Sequence, residues 1–221
     1  MKKIFIRIFA CIFLISMFLH YTPVSEGSAI TGGETLRTGG TVLYVKDTGA
    51  STSCTSWDDA CTLQTALGLA VAGNEIWVAA GTYTPSTSDS NAHFDLVNGV
   101  AVYGGFAGTE MDFSQRDREV NITTLSGEIG EPGSMTDNSR VVDWSYLDST
   151  TILDGFAISD GYNTDSWGSG FYCYDCDAHL TNLLIDNNHG ILSGVLLLRV
   201  SEQLLAEQTA KRGEAGGKFY F

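Results

Sequence analysis

Glu75-Ile76-Trp77-Val78-Ala79-Ala80-Gly81-Thr82-Tyr83 is the stretch on which the fold of this chain turns: an apolar run meets a glycine, changes direction and stops. The same pattern returns at Gly99-Val100-Ala101-Val102-Tyr103-Gly104-Gly105-Phe106 and at Thr123-Thr124-Leu125-Ser126-Gly127-Glu128-Ile129. It returns again at Thr151-Ile152-Leu153-Asp154-Gly155-Phe156-Ala157-Ile158, and last at 178–188, Ala178 to Asn188. Gly81, Gly105, Gly127 and Gly155 mark the turning places of the first four blocks, and Asn182 takes the equivalent place in the fifth. Short β-rich runs recurring every two dozen residues, with Gly, Asn and Asp at the corners, are the signature of a solenoid.

No single run is long enough to make a stable sheet. Stacking one turn on the next pairs every strand in parallel with its neighbour and buries the inward aliphatics as columns. Glycine and asparagine suit the corners because they accept left-handed backbone angles at little cost. A β-sandwich is the competing reading, but the long period and the scarcity of tight hairpin dipeptides speak against it. The expected fold is therefore all-β: a right-handed parallel β-helix over residues 42–190.

Outward from these blocks, Thr41 to Val45 alternates as a strand, and then the period changes. Ala60, Leu63, Ala66, Leu67, Ala70 and Val71 share one helical face. This predicts a capping α-helix near 58–72, with Ser56 and Asp59 as a capping box and Gly73-Asn74 as the stop. Such a helix covers the first rung, where bare strand edges invite aggregation.

The ends read differently. Lys2, Lys3 and Arg7 precede an uncharged apolar run from Ile8 to Leu19, which is too short to span a bilayer and reads as a signal peptide over 1–29. If it stays uncleaved, it is the chain's one contact with a membrane. Residues 30–41 form a Gly- and Thr-rich lead-in. Beyond Gly190 the repeats give way to a Leu-rich run and a polar stretch, so 191–221 is either a shortened or frameshifted end or a divergent cap.

The formal charge of -14 repels nucleic acid, anionic membrane and polyuronates, the last unless calcium bridges the two. Export, expected to the cell surface or medium, makes the cysteines legible. Cys54 and Cys61 bracket a turn and are expected to form a disulfide. Cys173-Tyr174-Asp175-Cys176 supplies two of the four ligands a structural zinc needs, so it reads as a local bridge or a pair of thiols.

Leu43-Tyr44-Val45, Trp57-Asp58-Asp59-Ala60-Cys61-Thr62-Leu63-Gln64-Thr65-Ala66-Leu67 and Ile76-Trp77-Val78-Ala79-Ala80-Gly81-Thr82-Tyr83-Thr84-Pro85 resemble one bacterial family. It is the family of secreted, pectin-lyase-like right-handed β-helix repeat proteins, many of which carry a C-terminal surface anchor. Val102 to Phe106 and Leu153 to Ile158 extend the resemblance, which covers about residues 41–190. It implies a secreted or cell-surface protein, adhesive in some relatives and a polysaccharide lyase or hydrolase in a minority.

Asn163-Thr164-Asp165 and Asn188-His189-Gly190 resemble motifs of polygalacturonase-like hydrolases, but the Asp58-Asp59 pair precedes both and no Arg-x-Lys follows. A glycosidase needs two carboxyls flanking one bond, and nothing in the spacing sets Asp165 and Asp186 so. No catalytic residue is assigned, and no cofactor. Calcium is the one ion for which the sequence offers a place, on the oxygen-rich loop Asp160 to Asp165, where a solvated turn is the plainer reading. Trp167, Phe171, Tyr172 and Tyr174 offer an aromatic platform for sugar rings, or else rung packing. Asn121-Ile122-Thr123 is a formal glycosylation acceptor without weight in a bacterial chain. The sequence thus favours a non-catalytic module for polysaccharide or cell-surface ligands over an enzyme acting on them.

Overall fold

The computed structural model describes residues 40–190, together with the backbone of 191, 195–198 and 219–220. The expected leader, nearly all of the lead-in and most of the tail lie outside the described residues, as do the side chains of 165–167. In chain order the elements are β1 (Val42–Val45), α1 (Leu63–Leu69), β2 (Glu75–Ala79), β3 (Gly81–Tyr83), β4 (Ala101–Phe106) and β5 (Thr123–Ser126). Then come β6 (Val142–Ser145), β7 (Ile152–Asp154), β8 (Ala157–Ser159), β9 (Tyr162–Trp167) and β10 (Phe171–Tyr174). Last are β11 (His179–Thr181), β12 (Leu184–Ile185), β13 (His189–Ile191), β14 (Val195–Leu198) and β15 (Phe219–Tyr220).

The strands stack as a parallel β-helix of about five turns. The first sheet runs β1-β2-β4-β7-β11 and the second β3-β5-β8-β12, all parallel. The third is β6-β10-β14, and β9 with β13 makes a short fourth. β15 lies antiparallel on β12, pairing Leu184 with Tyr220 and Ile185 with Phe219.

The alternation along each strand becomes a column when the turns stack. Leu43, Ile76, Val102, Leu153 and Leu180 are in register down the first sheet. All face one core, where Ile76 and Leu153 are fully buried, with Leu125, Ile158, Phe171 and Ile185 brought in by the other sheets. A fully buried side chain of this size contributes about 1.5–3 kcal/mol relative to exposure, so continuity of the columns carries much of the stability.

The even glycine spacing does not survive as read. Val42 pairs with Glu75, Glu75 with Ala101, Ala101 with Ile152 and Ile152 with His179, and these steps are unequal. Residues 107–122 and 127–141 are inserted into the third step. Blocks 75–83, 151–158 and 178–188 each hold a first-sheet and a second-sheet strand, whereas 99–106 and 123–129 are two halves of one turn. Gly127 therefore sits one corner later than Gly105, Gly155 and Asn182. It follows β5 and lies in register with Asp160 and Asn187, whose φ of 59° and 53° occupy the left-handed region. At the earlier corner Gly155 has φ 83°, and a Cβ there would lie 2.1 Å from the Arg116 guanidinium, so any side chain would be strained and would push that guanidinium off Asp154.

The capping helix is present but shorter than the sequence suggests. Thr62, not Ser56, is its N-cap and accepts from Thr65 N–H, and it ends at Leu69. Ser56 caps only a turn, through Asp59 N–H at 3.1 Å. The Asp59 carboxylate instead accepts from the hydroxyls of Ser51 at 2.6 Å, Thr55 at 2.8 Å and Ser53. The Ser51 bond, then those from Ser53 and Thr55, hold this carboxyl well below the usual range. Leu63, Ala66 and Leu67 of α1 are buried in the same core as Leu43 and Val45.

The leading edge of β1 is covered by the segment that Cys54 and Cys61 close. Tyr44 N–H donates to Cys54 O at 2.9 Å, Cys61 N–H to Tyr44 O at 3.1 Å, and Lys46 N–H to Cys61 O at 3.2 Å. The two cysteines are bonded, with Cα atoms 5.0 Å apart. Cys173 and Cys176 are also bonded, across the corner that leaves β10.

Candidate functional site

A ligand site on a solenoid needs an outer face that is not already covered. The outer face of the first sheet is closed. Tyr44, Trp77 and Tyr103, one from each of three successive turns, project there, and Trp57 and Phe113 from loops pack over them. Trp77 and Phe106 stack at 4.7 Å. Arg116 lies 5.5 Å from the Tyr103 and Phe113 rings and pairs with Asp154 at 2.7 Å. Asp154 also accepts from Thr181 at 2.9 Å and Asn182 at 3.1 Å, so the ion pair locks two turns and a loop together. This is packing rather than a binding surface.

The corners are equally committed. Asp160 accepts from Ser126, Ser159 and Asn187 at 3.0, 2.7 and 2.6 Å. Asn188, 4 % exposed, accepts from Gly161 N–H and donates to Ile158 O and Asp186 O. These side chains replace backbone partners lost at the bend. Among the described residues no group of three or more His, Cys, Asp or Glu is placed to hold a metal, and the calcium loop considered above has its first aspartate tied into this ladder. The hydrolase-like motifs do meet: Tyr162 pairs with His189 and Asn163 with Gly190 on β9 and β13. The Asp165 side chain lies outside the described residues, and Asp58 and Asp59 sit at the far, leading end of the fold.

The third sheet is different. Val142 and Phe171 turn inward in register, so their neighbours Asp143 and Tyr172 turn outward side by side, followed by Ser145 and Tyr174. A single parallel bridge, Phe94 to Val142, adds the preceding turn and brings Asp95 alongside. An open groove results, lined by His93, Asp95, Asp143, Trp144 and Ser145. His93 Nε2 lies 3.1 Å from Asp95 Oδ1, and its Nδ1 faces Asn91 O at 2.9 Å. Arg140 pairs with Asp143 and lies 5.0 Å over the Tyr172 ring. Tyr146, 66 % exposed, meets Tyr174 edge to face at 5.7 Å.

Of the aromatic residues singled out from sequence, Tyr172 and Tyr174 are thus on the outer face, while Phe171 is buried in the core. The sequence does not single out His93, Asp95, Arg140, Asp143, Trp144 or Tyr146. Asp143-Trp144-Ser145 in a strand-like run was the available signal; His93 and Asp95 carry none, because a lone bridge leaves no periodicity. Comparison with protein-family models, curated proteins and solved structures returns no match for this chain.

Proposed function

We propose that this protein is an exported, non-catalytic β-helix that binds polysaccharide or a glycan-coated surface along its third sheet. The observation that carries the reading is the outward strip Asp95, Asp143, Tyr172, one residue from each of three successive turns, with Tyr174 and Tyr146 beside it. Sugars are recognised by flat aromatic faces packed against their C–H surfaces and by fixed polar groups that share their hydroxyls. This strip offers both, held on rigid strands. Successive turns are about 4.8 Å apart, close to the length of one pyranose unit, so a linear glycan can lie across several turns.

The two disulfides accord with an oxidising compartment, and among the described residues no helix is long and apolar enough to cross a membrane. Location at the cell surface or in the medium belongs to the same proposal. Acidity weighs against polyuronate ligands. A panel of soluble and insoluble polysaccharides tests the reading, scored both for retention of the protein and for new reducing ends or unsaturated products. Retention without products is expected. Turnover lost in Asp143→Asn or Asp165→Asn would replace the binding module with a polysaccharide-active enzyme.

A further inference from the structure

We infer that the Cys54–Cys61 bond is a compartment-dependent latch: its formation seats the 54–61 segment on β1 and seals the leading edge of the solenoid, and its burial then shields it from thiols. Three backbone bonds join that segment to β1, through Tyr44 N–H, Tyr44 O and Lys46 N–H. An isolated bridge pairs Cys61 with Val45. Without them β1 presents an open row of donors and acceptors, the kind of edge that templates pairing with another chain.

Trp57 also ties the middle of the segment down, packing on Tyr44 at 4.9 Å and donating to Glu110 O at 2.9 Å, but at the first end it is the Cys54 carbonyl that bonds to β1. The Asp59 carboxylate ties Ser51, Ser53 and Thr55 to one another, which shapes the loop but does not hold it to β1. Cys54 has φ 57°, a left-handed conformation that residues with a Cβ adopt at a cost. The bond to Cys61 holds it there, and its carbonyl is the acceptor for Tyr44 N–H. Released, Cys54 relaxes toward an ordinary angle and its carbonyl turns away from β1.

Latching is an oxidation. The two thiols join as one S–S bond, and two protons and two electrons pass to a disulfide-type oxidant that leaves as two thiols. In a reducing compartment the step does not proceed, so the leading rung stays unsealed until the chain is exported. Both cysteines are then fully buried in the core, and a thiol reaches the bond only when the cap opens.

Amide exchange on the oxidised protein and on Cys54→Ser/Cys61→Ser tests the latch. Tyr44 and Lys46 amides should exchange at least tenfold faster in the variant, while Ile76 and Val78 keep their protection. Equal protection at Tyr44 and Lys46 overturns it. A second measurement needs no variant: reduction of the folded wild-type protein by dithiothreitol, followed by mass spectrometry of the 54–61 thiols. The rate should level off as reductant rises, because opening becomes limiting. A rate proportional to reductant throughout, at the speed of an exposed peptide disulfide, contradicts the shielded latch.

Discussion

Asp143 stands beside Tyr172 in the parallel pairing of β6 and β10, and Arg140 bridges them, paired with the carboxylate and lying over the ring. The arrangement fixes the ring plane and the carboxylate together, and a side chain locked in this way loses little entropy when it meets a ligand. Replacing Arg140 with Ala should therefore weaken glycan binding without altering the core, since Val142 and Phe171 beneath it pack independently of the guanidinium. Titration of the variant against wild type, with matched far-UV spectra, checks this.

The Arg116–Asp154 pair makes the sharpest stability prediction. Both side chains are nearly inaccessible, 9 % and 3 % exposed. Removing one partner leaves a buried charge, at a cost of about 3–5 kcal/mol. Arg116→Met should fall in that range by urea denaturation. The double variant Arg116→Met/Asp154→Leu should recover only part of the loss, because it leaves no orphan charge but takes the acceptor from Thr181 and Asn182.

Glu110 gives the pH dependence. Burial acts to raise its carboxyl, but hydrogen bonds from the backbone N–H groups of Ala107, Thr109 and Gly108 outweigh it, and the net shift is downward. A carboxyl lowered in the folded state stabilises the fold above its unfolded value and loses that contribution as pH falls through its folded value. The stability gap between wild type and Glu110→Gln should be widest near neutral pH and close in acid. Urea melts at stepped pH measure it. A gap that widens toward acid contradicts the assignment.

Leu67 tests the lid. It is 6 % exposed on α1 and shares the core with Leu43 of the edge strand. Leu67→Asp places an unpaired charge there, and the helix should lift from the first turn. Loss of stability with concentration-dependent aggregation by light scattering is expected. A monomer of unchanged stability would show that α1 does not close this end.

How much of this was legible in the sequence depends on periodicity. The inward column Leu43, Ile76, Val102, Leu153, Leu180 could be read because strand alternation repeats wherever a block repeats. Gly155 and Asn182 can be matched as one corner for the same reason. Gly127 passes for the same corner in the sequence because the insertions at 107–122 and 127–141 stretch one turn until its halves look like separate repeats. The helix reads longer in the sequence than it is, since Ala60, Ala70 and Val71 continue its apolar spacing, although the Asp59 hydroxyl cluster claims the start and Ala70 already has extended backbone. His93 and Asp95 were invisible. Among the described residues, the Phe94–Val142 bridge, formed between positions far apart in the sequence, carries them to Asp143.

The central claim is that the third sheet holds a glycan, and calorimetric titration of Tyr172→Ala with whichever polysaccharide the panel retains tests it most directly. Loss of an aromatic stack worth on the order of 1 kcal/mol beyond its buried area, with that area added, should weaken binding about tenfold or more. A control at Tyr103→Phe, on the closed first-sheet face, should leave affinity unchanged. Equal affinity for wild type and Tyr172→Ala, in a variant that folds normally, would place the ligand elsewhere and contradict the account.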